Sequence, residues 1–305
     1  MSESTDPTTG RRPAKNRTPQ WIASTAITAV IGALLAVAGS DGTARAGGVA
    51  VFALCVGLAF AINWAVFVPS FLARTETYFD LTGALTYLTV TAVALVLSDG
   101  LDTRAWIAAA LVWIWALRLG SFLFRRVRRD GGDGRFDRMK HDFAEFLMTW
   151  TIQGLWVSLT LAAALVAITT TERADFGVLG VIGLAIWVVG FAIEVVADTQ
   201  KSAFKADPAN AGRFITTGLW SWSRHPNYFG EITLWTGMAV LALPVLSGWN
   251  WVALISPLFV FVLLTRISGI PMLERRAHKR WGDDPAFQAY TASTSVLVPL
   301  PPKKG

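Results

Sequence analysis

The sequence predicts an all-α, polytopic transmembrane helix bundle of seven to nine helices, with its N-terminus in the cytoplasm. Apolar residues make up 53% of the 305 positions and charged residues only 16%, a composition too apolar for a soluble domain of this length. The chain also contains 14 tryptophans and 18 phenylalanines. A membrane-spanning helix needs about 20 apolar residues, and eight runs of about that length follow one another along the chain.

These eight apolar runs are the predicted transmembrane helices. The third and seventh are short or interrupted by Gly and Pro, which is why the predicted count is a range. In chain order the runs are 21–38, 46–72, 81–97, 105–124, 146–169, 176–197, 228–246 and 249–267. Residues 1–20 are polar and basic and show no convincing cleavage site, so they are predicted to be a disordered cytoplasmic tail. Residues 21–305 then form a single transmembrane domain.

Lysine and arginine orient the predicted bundle. Cytoplasmic loops of membrane proteins are enriched in these residues. Basic residues precede the first helix, and the segment RRVRRDGGDGRFDRMK follows the fourth, whereas the loops assigned to the other side contain only Arg45, Arg104 and Arg173. The net charge of +6 is therefore mostly a signal of topology in a cell membrane. A nucleic-acid partner is not expected, because basic residues are not interleaved with exposed aromatics.

No metal site and no disulfide framework are predicted. Cys55 is the single cysteine and lies inside an apolar run, where core packing is the expected role. The three histidines are far apart in sequence and lack His or Cys partners at ligand spacing.

The segment GLWSWSRHPNYFGE places polar side chains where the seventh apolar run begins. Arginine offers a fork of donors for phosphate or carboxylate, and histidine exchanges a proton near neutral pH. Pro226 favours the start of a helix. This combination suits an anionic cofactor at the membrane surface. The candidate residues are Arg224, His225, Asn227, Tyr228 and Glu231.

Four ionisable residues follow one another at the end of the sixth run. At about 100° per residue, Glu194, Asp198, Lys201 and Lys205 fall within roughly 60° of one another on a helical wheel. They form either a self-neutralising structural ladder or a site in which the lysines bind phosphate and the acids bind sugar hydroxyls. Ionisable groups in membrane segments are functional by default, which favours the second interpretation.

The fourth run also carries a charge within the membrane. Arg118 lies about two turns inside the basic loop, on the same helix face as Phe122, Arg125 and Arg129. The outer two arginines can extend to lipid headgroups. Arg118 instead needs a partner in the bundle, and Glu194 or Glu231 are the candidates.

The loop RTETYFD joins the second and third runs and holds Glu76, Tyr78 and Asp80 at alternate positions. An acid beside a phenol at the membrane mouth can polarise a carbonyl and deliver a proton, so these three are the candidate catalytic residues. The alternative is a polar loop in which Thr77 or Asp80 caps the third helix.

The C-terminal segment after 267 is predicted to be cytoplasmic and charged. It begins with a Gly-Ile-Pro break, and the ionisable residues closest to the membrane are Glu274, Arg275 and His278, with Arg266 just before the segment. Tyr290 is placed to form a second aromatic wall. The segment either closes over a ligand or presents a solvated face to lipid headgroups.

These motifs together carry a resemblance to a known family. QKSAFK followed by GLWSWSRHPNYFGE, and then an acidic and basic helix with WG and a Tyr, resembles the steroid 5-alpha-reductase C-terminal family. The nearest branch is the prokaryotic proteins of the DUF1295 type, and sterol reductases are more distant. The resemblance covers about residues 60–300, includes the C-terminal half 176–300, and is strongest from 197 to 231.

The resemblance implies an oxidoreductase that holds NADPH at its cytosolic side and reduces a C=C bond of a lipid-like enone from the bilayer. Hydride goes to the beta carbon while an acid or phenol polarises the carbonyl. The residues that match the family's cofactor motifs are Lys201, Lys205, Arg224, His225, Asn227, Tyr228 and Glu231, joined by Glu274 on the last cytoplasmic helix and by the acidic companions Glu194 and Asp198.

The resemblance does not extend to the steroid site. Steroid 5-alpha-reductases contact the ketone with a Gln-Glu pair, and this chain contains no Gln-Glu dipeptide. Glu76, Tyr78 and Asp80 are the proposed substitutes, and the substrate remains open among steroids, polyprenyl chains and fatty enones. Two rival functions also remain. A lipid methyltransferase that uses S-adenosylmethionine would share the RHP-x-Y-x-G pattern, and a lipid-binding or transport protein would bind no cofactor.

Overall fold

The computed structural model describes residues 17–130, 134 and 136–301, without the side chains of 126–130. In this part of the chain, eight helical segments are long and apolar enough to cross a membrane. The predicted all-α polytopic bundle is therefore confirmed, and the chain is a multi-pass membrane protein. Residues 1–16 of the predicted tail lie outside the described residues.

The α-helices follow the predicted order, and a short β-ribbon lies between the first two. The helices are α1 (Thr18–Gly39), α2 (Val51–Leu72), α3 (Phe79–Val96), α4 (Thr103–Asp130), α5 (Phe143–Thr169), α6 (Val178–Ala206), α7 (Pro226–Ala242), α8 (Ile255–Val262), α9 (Ile270–Trp281) and α10 (Pro285–Ser293). The ribbon pairs β1 (Arg45–Ala46) with β2 (Val49–Ala50) in antiparallel register, Arg45 opposite Ala50. The eighth span, Gly248–Trp281, is irregular, since a 3-10 segment precedes α8 and a π segment, Leu263–Ile267, follows it.

Several helix ends differ from the apolar runs. α1 begins at Thr18, with a proline in its first turn, three residues before the first apolar run. α6 continues to Ala206 rather than ending at 197. The apolar run measures the hydrocarbon thickness, whereas the backbone hydrogen bonds of a helix continue into the polar interface. This extension places Asp198, Lys201 and Lys205 on the same helix as Glu194.

α5 is the central helix of the bundle. In its membrane window 83% of the residues are buried, against 22% for α1. Helices α1, α2, α3, α4, α7 and α8 all pack against it. The face of the bundle at which α1, α3, α5 and α7 begin is called the N-terminal face below, and the other is called the opposite face.

A buried arginine joins the helices at the opposite face. Arg104 has no exposed surface, and its guanidinium donates to the carbonyls of Leu241, at 2.5 Å, and Asp175, at 2.7 Å. The first bond places a positive charge at the carbonyl end of α7, which the helix dipole favours. Arg104 was assigned to an outer loop from sequence, but it lies in the first turn of α4 and stabilises the packing of three segments.

Glycines bring α6 and α7 into backbone contact. A Cβ added at Gly190 would lie 2.4 Å from the backbone nitrogen of Leu234, and one added at Gly230 would lie 2.6 Å from that of Glu194. Gly183 and Gly237 make the equivalent approach one heptad away. Small residues of this kind let helices approach closely in a membrane. The contact brings Glu194 of α6 next to the first turns of α7.

Replacing Gly190 with alanine is expected to destabilise the bundle by about 1–3 kcal/mol, because the new Cβ meets backbone that cannot move independently. Gly57→Ala on α2 is the matched control, since a Cβ there meets no atom within 4 Å. Thermal unfolding of the two variants in detergent measures the difference. Equal midpoints for the two variants would contradict the close packing of α6 against α7.

Candidate functional site

An ion-pair cluster lies between α4 and α6 near the N-terminal face. The two terminal nitrogens of Arg118 donate to different carboxylates, one to Glu194 at 2.5 Å and the other to Asp198 at 2.6 Å. Both carboxylates are buried. Glu231 on α7 lies within electrostatic range of Asp198 and Arg118. The prediction that Arg118 pairs with Glu194 is confirmed, and Asp198 is a second partner that the sequence analysis did not name.

The four ionisable residues at the end of α6 lie at different depths in the bundle. Glu194 and Asp198 face inward to Arg118, whereas the two lysines lie nearer the surface, Lys201 half-buried and Lys205 exposed. The ammonium of Lys201 lies 4.3 Å from the ring centre of Trp220. The two acids are thus bound by an arginine from another helix.

An aromatic box, formed by Tyr87, Trp115 and Trp235, lies deeper in the bundle. The Tyr87 ring lies 5.0 Å from the Trp115 ring, and the two tryptophan rings are 5.1 Å apart. The Tyr87 hydroxyl lies near Thr160 and Glu231, yet it makes no hydrogen bond of normal geometry to a described residue. A buried phenol whose hydroxyl is not held by a hydrogen bond of normal geometry can donate to a ligand.

The aromatic box adjoins the ion-pair cluster. The Trp115 indole nitrogen and the second carboxylate oxygen of Glu194 lie near each other, and neither makes a normal hydrogen bond within the described part of the chain. Glu231 and Trp235 lie one turn apart on the same face of α7. Sequence reasoning missed Tyr87 because it lies inside an apolar run with no ionisable neighbour to mark it.

A second polar cluster lies at the start of α7. One carboxylate, that of Glu274, binds both Arg224 and His225, at 2.8 Å in each case. The His225 ring stacks on Tyr228 with centres 5.6 Å apart. Asn227 is half-buried on the same turn. The predicted group of Arg224, His225, Tyr228 and Glu274 thus assembles from α7 and α9, which are distant in sequence.

Burial determines the charge state of His225. Desolvation lowers the pKa of this imidazole below its usual value, although the hydrogen bond that its Nε2 donates to Glu274 acts in the opposite direction. Burial thus opposes protonation of the ring, and the guanidinium of Arg224 supplies positive charge to the cluster. The Nδ1 atom of His225 and the Nε atom of Arg224 are buried and have no hydrogen-bond partner among the described residues.

The C-terminal segment fixes this cluster from outside. Ser223 pairs with Ser295 in a parallel bridge, and the Arg224 backbone nitrogen donates to the Ser295 carbonyl at 2.8 Å. The Tyr290 hydroxyl donates to the Trp220 carbonyl at 2.7 Å, and burial raises the pKa of this phenol. The predicted aromatic wall at Tyr290 therefore lies against the loop that carries Arg224.

The candidate catalytic residues of the loop before α3 have three different environments. Glu76 is buried and pairs with Lys140 at 3.0 Å, a contact that raises the pKa of the lysine. The Tyr78 side chain is 51% exposed. Asp80 lies in the first turn of α3, and the N-cap residue is Tyr78 rather than Thr77 or Asp80, the two caps of the alternative interpretation.

Groups of three or more His, Cys, Asp or Glu that could hold a metal ion are not found within the described ranges. The arrangement instead offers cations and hydrogen-bond donors at the N-terminal face and a phenol with carboxyl groups below them. Such a site can bind an anionic ligand at the surface and exchange a proton in the bundle interior.

Comparisons with known proteins find a family that matches most of the chain. The family described as protein of unknown function (DUF1295) matches residues 66–294. The 3-oxo-5-alpha-steroid 4-dehydrogenase 1 of Rattus norvegicus is 27% identical over 119 residues, which is 39% of this chain and 40% of that protein. The steroid 5-alpha-reductase DET2 of Gossypium hirsutum is 31% identical over 118 residues, 39% of this chain and 41% of that protein.

A methyltransferase is also among the relatives. The probable O-methyltransferase ustE of Ustilaginoidea virens is 32% identical over 99 residues, 32% of each chain. The chain thus spans less than half the length of these three relatives. No solved structure matches it significantly.

Proposed function

The chain belongs to the DUF1295 family of unknown function, and from its similarity to two steroid reductases we propose that it is a membrane reductase that uses NADPH to reduce a C=C bond of a lipid-like enone. The observation that carries the proposal is the arrangement along α7. Tyr228, Glu231 and Trp235 recur every three or four residues and share one face. They connect the basic cluster at His225 with the aromatic box about 15 Å deeper, at 1.5 Å per residue.

The residues at the N-terminal face fit NADPH. Its phosphates need cations and donors, which Arg224, Lys201 and the exposed Lys205 supply. The unpartnered Nε of Arg224 and Nδ1 of His225 are further polar atoms available to a ligand. Glu274 holds the Arg224 guanidinium and the His225 imidazole in place. Bound there, NADPH would supply the hydride of the reaction.

Four further residues of the predicted cofactor site have more indirect roles in this proposal. They are Glu194, Asp198, Asn227 and Glu231. Glu194 and Asp198 orient Arg118 through direct ion pairs, so in this proposal they form the floor of the cofactor site. Asn227 lies at the level of Tyr228, where an amide can bind a ribose or amide group of the cofactor. Glu231 lies between this floor and Tyr87 and passes a proton inward.

Two tyrosines are candidates for the acid that polarises the substrate carbonyl. Tyr87 is buried, is near Glu231, and has a hydroxyl that can donate to a ligand. Tyr78, with Glu76 and Asp80, lies at the mouth on the same face. We propose Tyr87 as the acid, because a buried phenol donates in a site from which water is excluded. Glu76, Tyr78 and Asp80 then line the entry for the substrate.

The cofactor is tested by thermal unfolding of the detergent-purified protein with NADPH, NADH and S-adenosylmethionine in parallel. NADPH at about 100 times its Kd should raise the midpoint by roughly 5 °C. Arg224→Gln should remove most of this shift. Arg17→Gln, an exposed arginine before α1, should not change it. Stabilisation by S-adenosylmethionine alone would overturn the reductase proposal.

A lipid methyltransferase is the second candidate, favoured by the 32% identity to the probable O-methyltransferase. Its cofactor is a cation at the sulfonium, so it does not require phosphate-binding lysines. In the same experiment this candidate predicts stabilisation by S-adenosylmethionine and no response to NADPH. Lack of response to all three compounds would favour a lipid-binding protein.

A further inference from the structure

A groove opens at the opposite face, at the other end of the bundle from the candidate site. Its volume is about 1280 Å³, and it lies between the last turns of α1 and the 3-10 segment that begins the eighth span. One wall is apolar and is formed by Ile31, Leu34 and Val37, whereas Trp249 and Trp251 line the other side. α1 precedes residues 66–294, so this wall lies outside the part of the chain that matches the family.

One end of the groove carries two opposite charges, Asp41 and Arg45, and each is bound to a different backbone group. Asp41 accepts from the backbone nitrogen of Trp249 at 2.8 Å, so its carboxylate is bound to the start of the 3-10 segment. Arg45 is exposed on the β-ribbon, and its Nε donates to the Gly48 carbonyl at 3.2 Å. That bond holds the guanidinium at the rim, where its terminal nitrogens can bind an anion.

We infer that this groove binds a glycerophospholipid of the surrounding leaflet, with an acyl chain along α1 and the phosphate at Arg45. Three features fit that occupant. The wall is apolar over several turns of helix, the two tryptophans are of the type that lies at headgroup depth, and the rim cation complements a phosphate. Since only 22% of the α1 membrane window is buried, a bound lipid would add packing that the helix lacks.

The inference is tested on the full chain purified in detergent, by native mass spectrometry with phosphatidylglycerol and with diacylglycerol of the same acyl chains. One phosphatidylglycerol should be retained about tenfold more strongly than diacylglycerol, a difference of roughly 1.4 kcal/mol. Arg45→Gln should reduce phosphatidylglycerol retention to the diacylglycerol level. Arg17→Gln, at the other end of α1, should retain the wild-type preference.

A second pair of variants tests the apolar wall. Ala38→Phe places a ring in the groove and should lower retention of both lipids, whereas Ala33→Phe lies on an exposed part of α1 outside the groove and should not. Equal retention of the two lipids by the wild type would overturn the inference. So would unchanged binding by Arg45→Gln, or a dimer that forms through this face and excludes lipid. These outcomes are independent of the cofactor experiment.

Discussion

Replacing Tyr87 with phenylalanine is expected to lower the turnover of an enone by roughly 10²- to 10⁴-fold, the usual contribution of a positioned general acid. The substitution removes one hydroxyl that makes no normal hydrogen bond to a described residue and keeps the ring against Trp115 and Trp235. The thermal unfolding midpoint should therefore change little. A loss of turnover without a loss of stability distinguishes an acid from a packing residue.

The measurement is oxidation of NADPH by the purified protein with progesterone, a long-chain fatty enone and a polyprenyl enal. Tyr78→Phe is the matched control, because its phenol is half exposed at the N-terminus of α3. If Tyr78→Phe lost most of its turnover and Tyr87→Phe kept full activity, the general acid would instead lie in the loop that contains Glu76, Tyr78 and Asp80. Glu231→Gln should slow the reaction in the same direction as Tyr87→Phe, since it removes the carboxyl group near the phenol.

The number of spanning helices could be predicted because the hydrocarbon thickness imposes a length on each apolar run. Helix ends could not be predicted from the same signal, as α6 shows by continuing to Ala206. Once past the hydrocarbon, a helix tolerates charge, and its end depends on the loop that follows. The eighth span is also less regular than its composition indicates, since 3-10 and π segments flank α8.

The part of the candidate site that could be predicted from the sequence is the ion pair of Arg118, because a charge inside a membrane needs a partner. A guanidinium inside a membrane requires a carboxylate, a carbonyl or a ligand, and Glu194 was one of two carboxylate candidates for Arg118. The aromatic box gave no such signal, because Tyr87, Trp115 and Trp235 are neutral and come from three helices. A tyrosine inside an apolar run whose hydroxyl must find a partner was the available clue.

The two clusters depend on the same helix pair. α6 carries the carboxylates that bind Arg118 and the lysine near Trp220, while α7 carries His225, Glu231 and Trp235. The glycine contact between the helices fixes how far Glu194 lies from Glu231. A change in the ion-pair cluster should therefore affect both the cofactor end and the substrate end of the site.

Replacing Arg118 with glutamine is expected to destabilise the protein by about 3–5 kcal/mol, because it leaves two buried carboxylates without their cation. Glutamine keeps the first three carbons of the arginine side chain and carries no charge, so the main loss is that of the cation. Thermal unfolding in detergent measures the change. The compensating variant adds Glu194→Gln and Asp198→Asn, which removes the unpaired negative charges and should recover much of the lost stability. If the single variant were as stable as the wild type, or the triple variant less stable than the single one, the ion pairs would not be what holds α4 against α6.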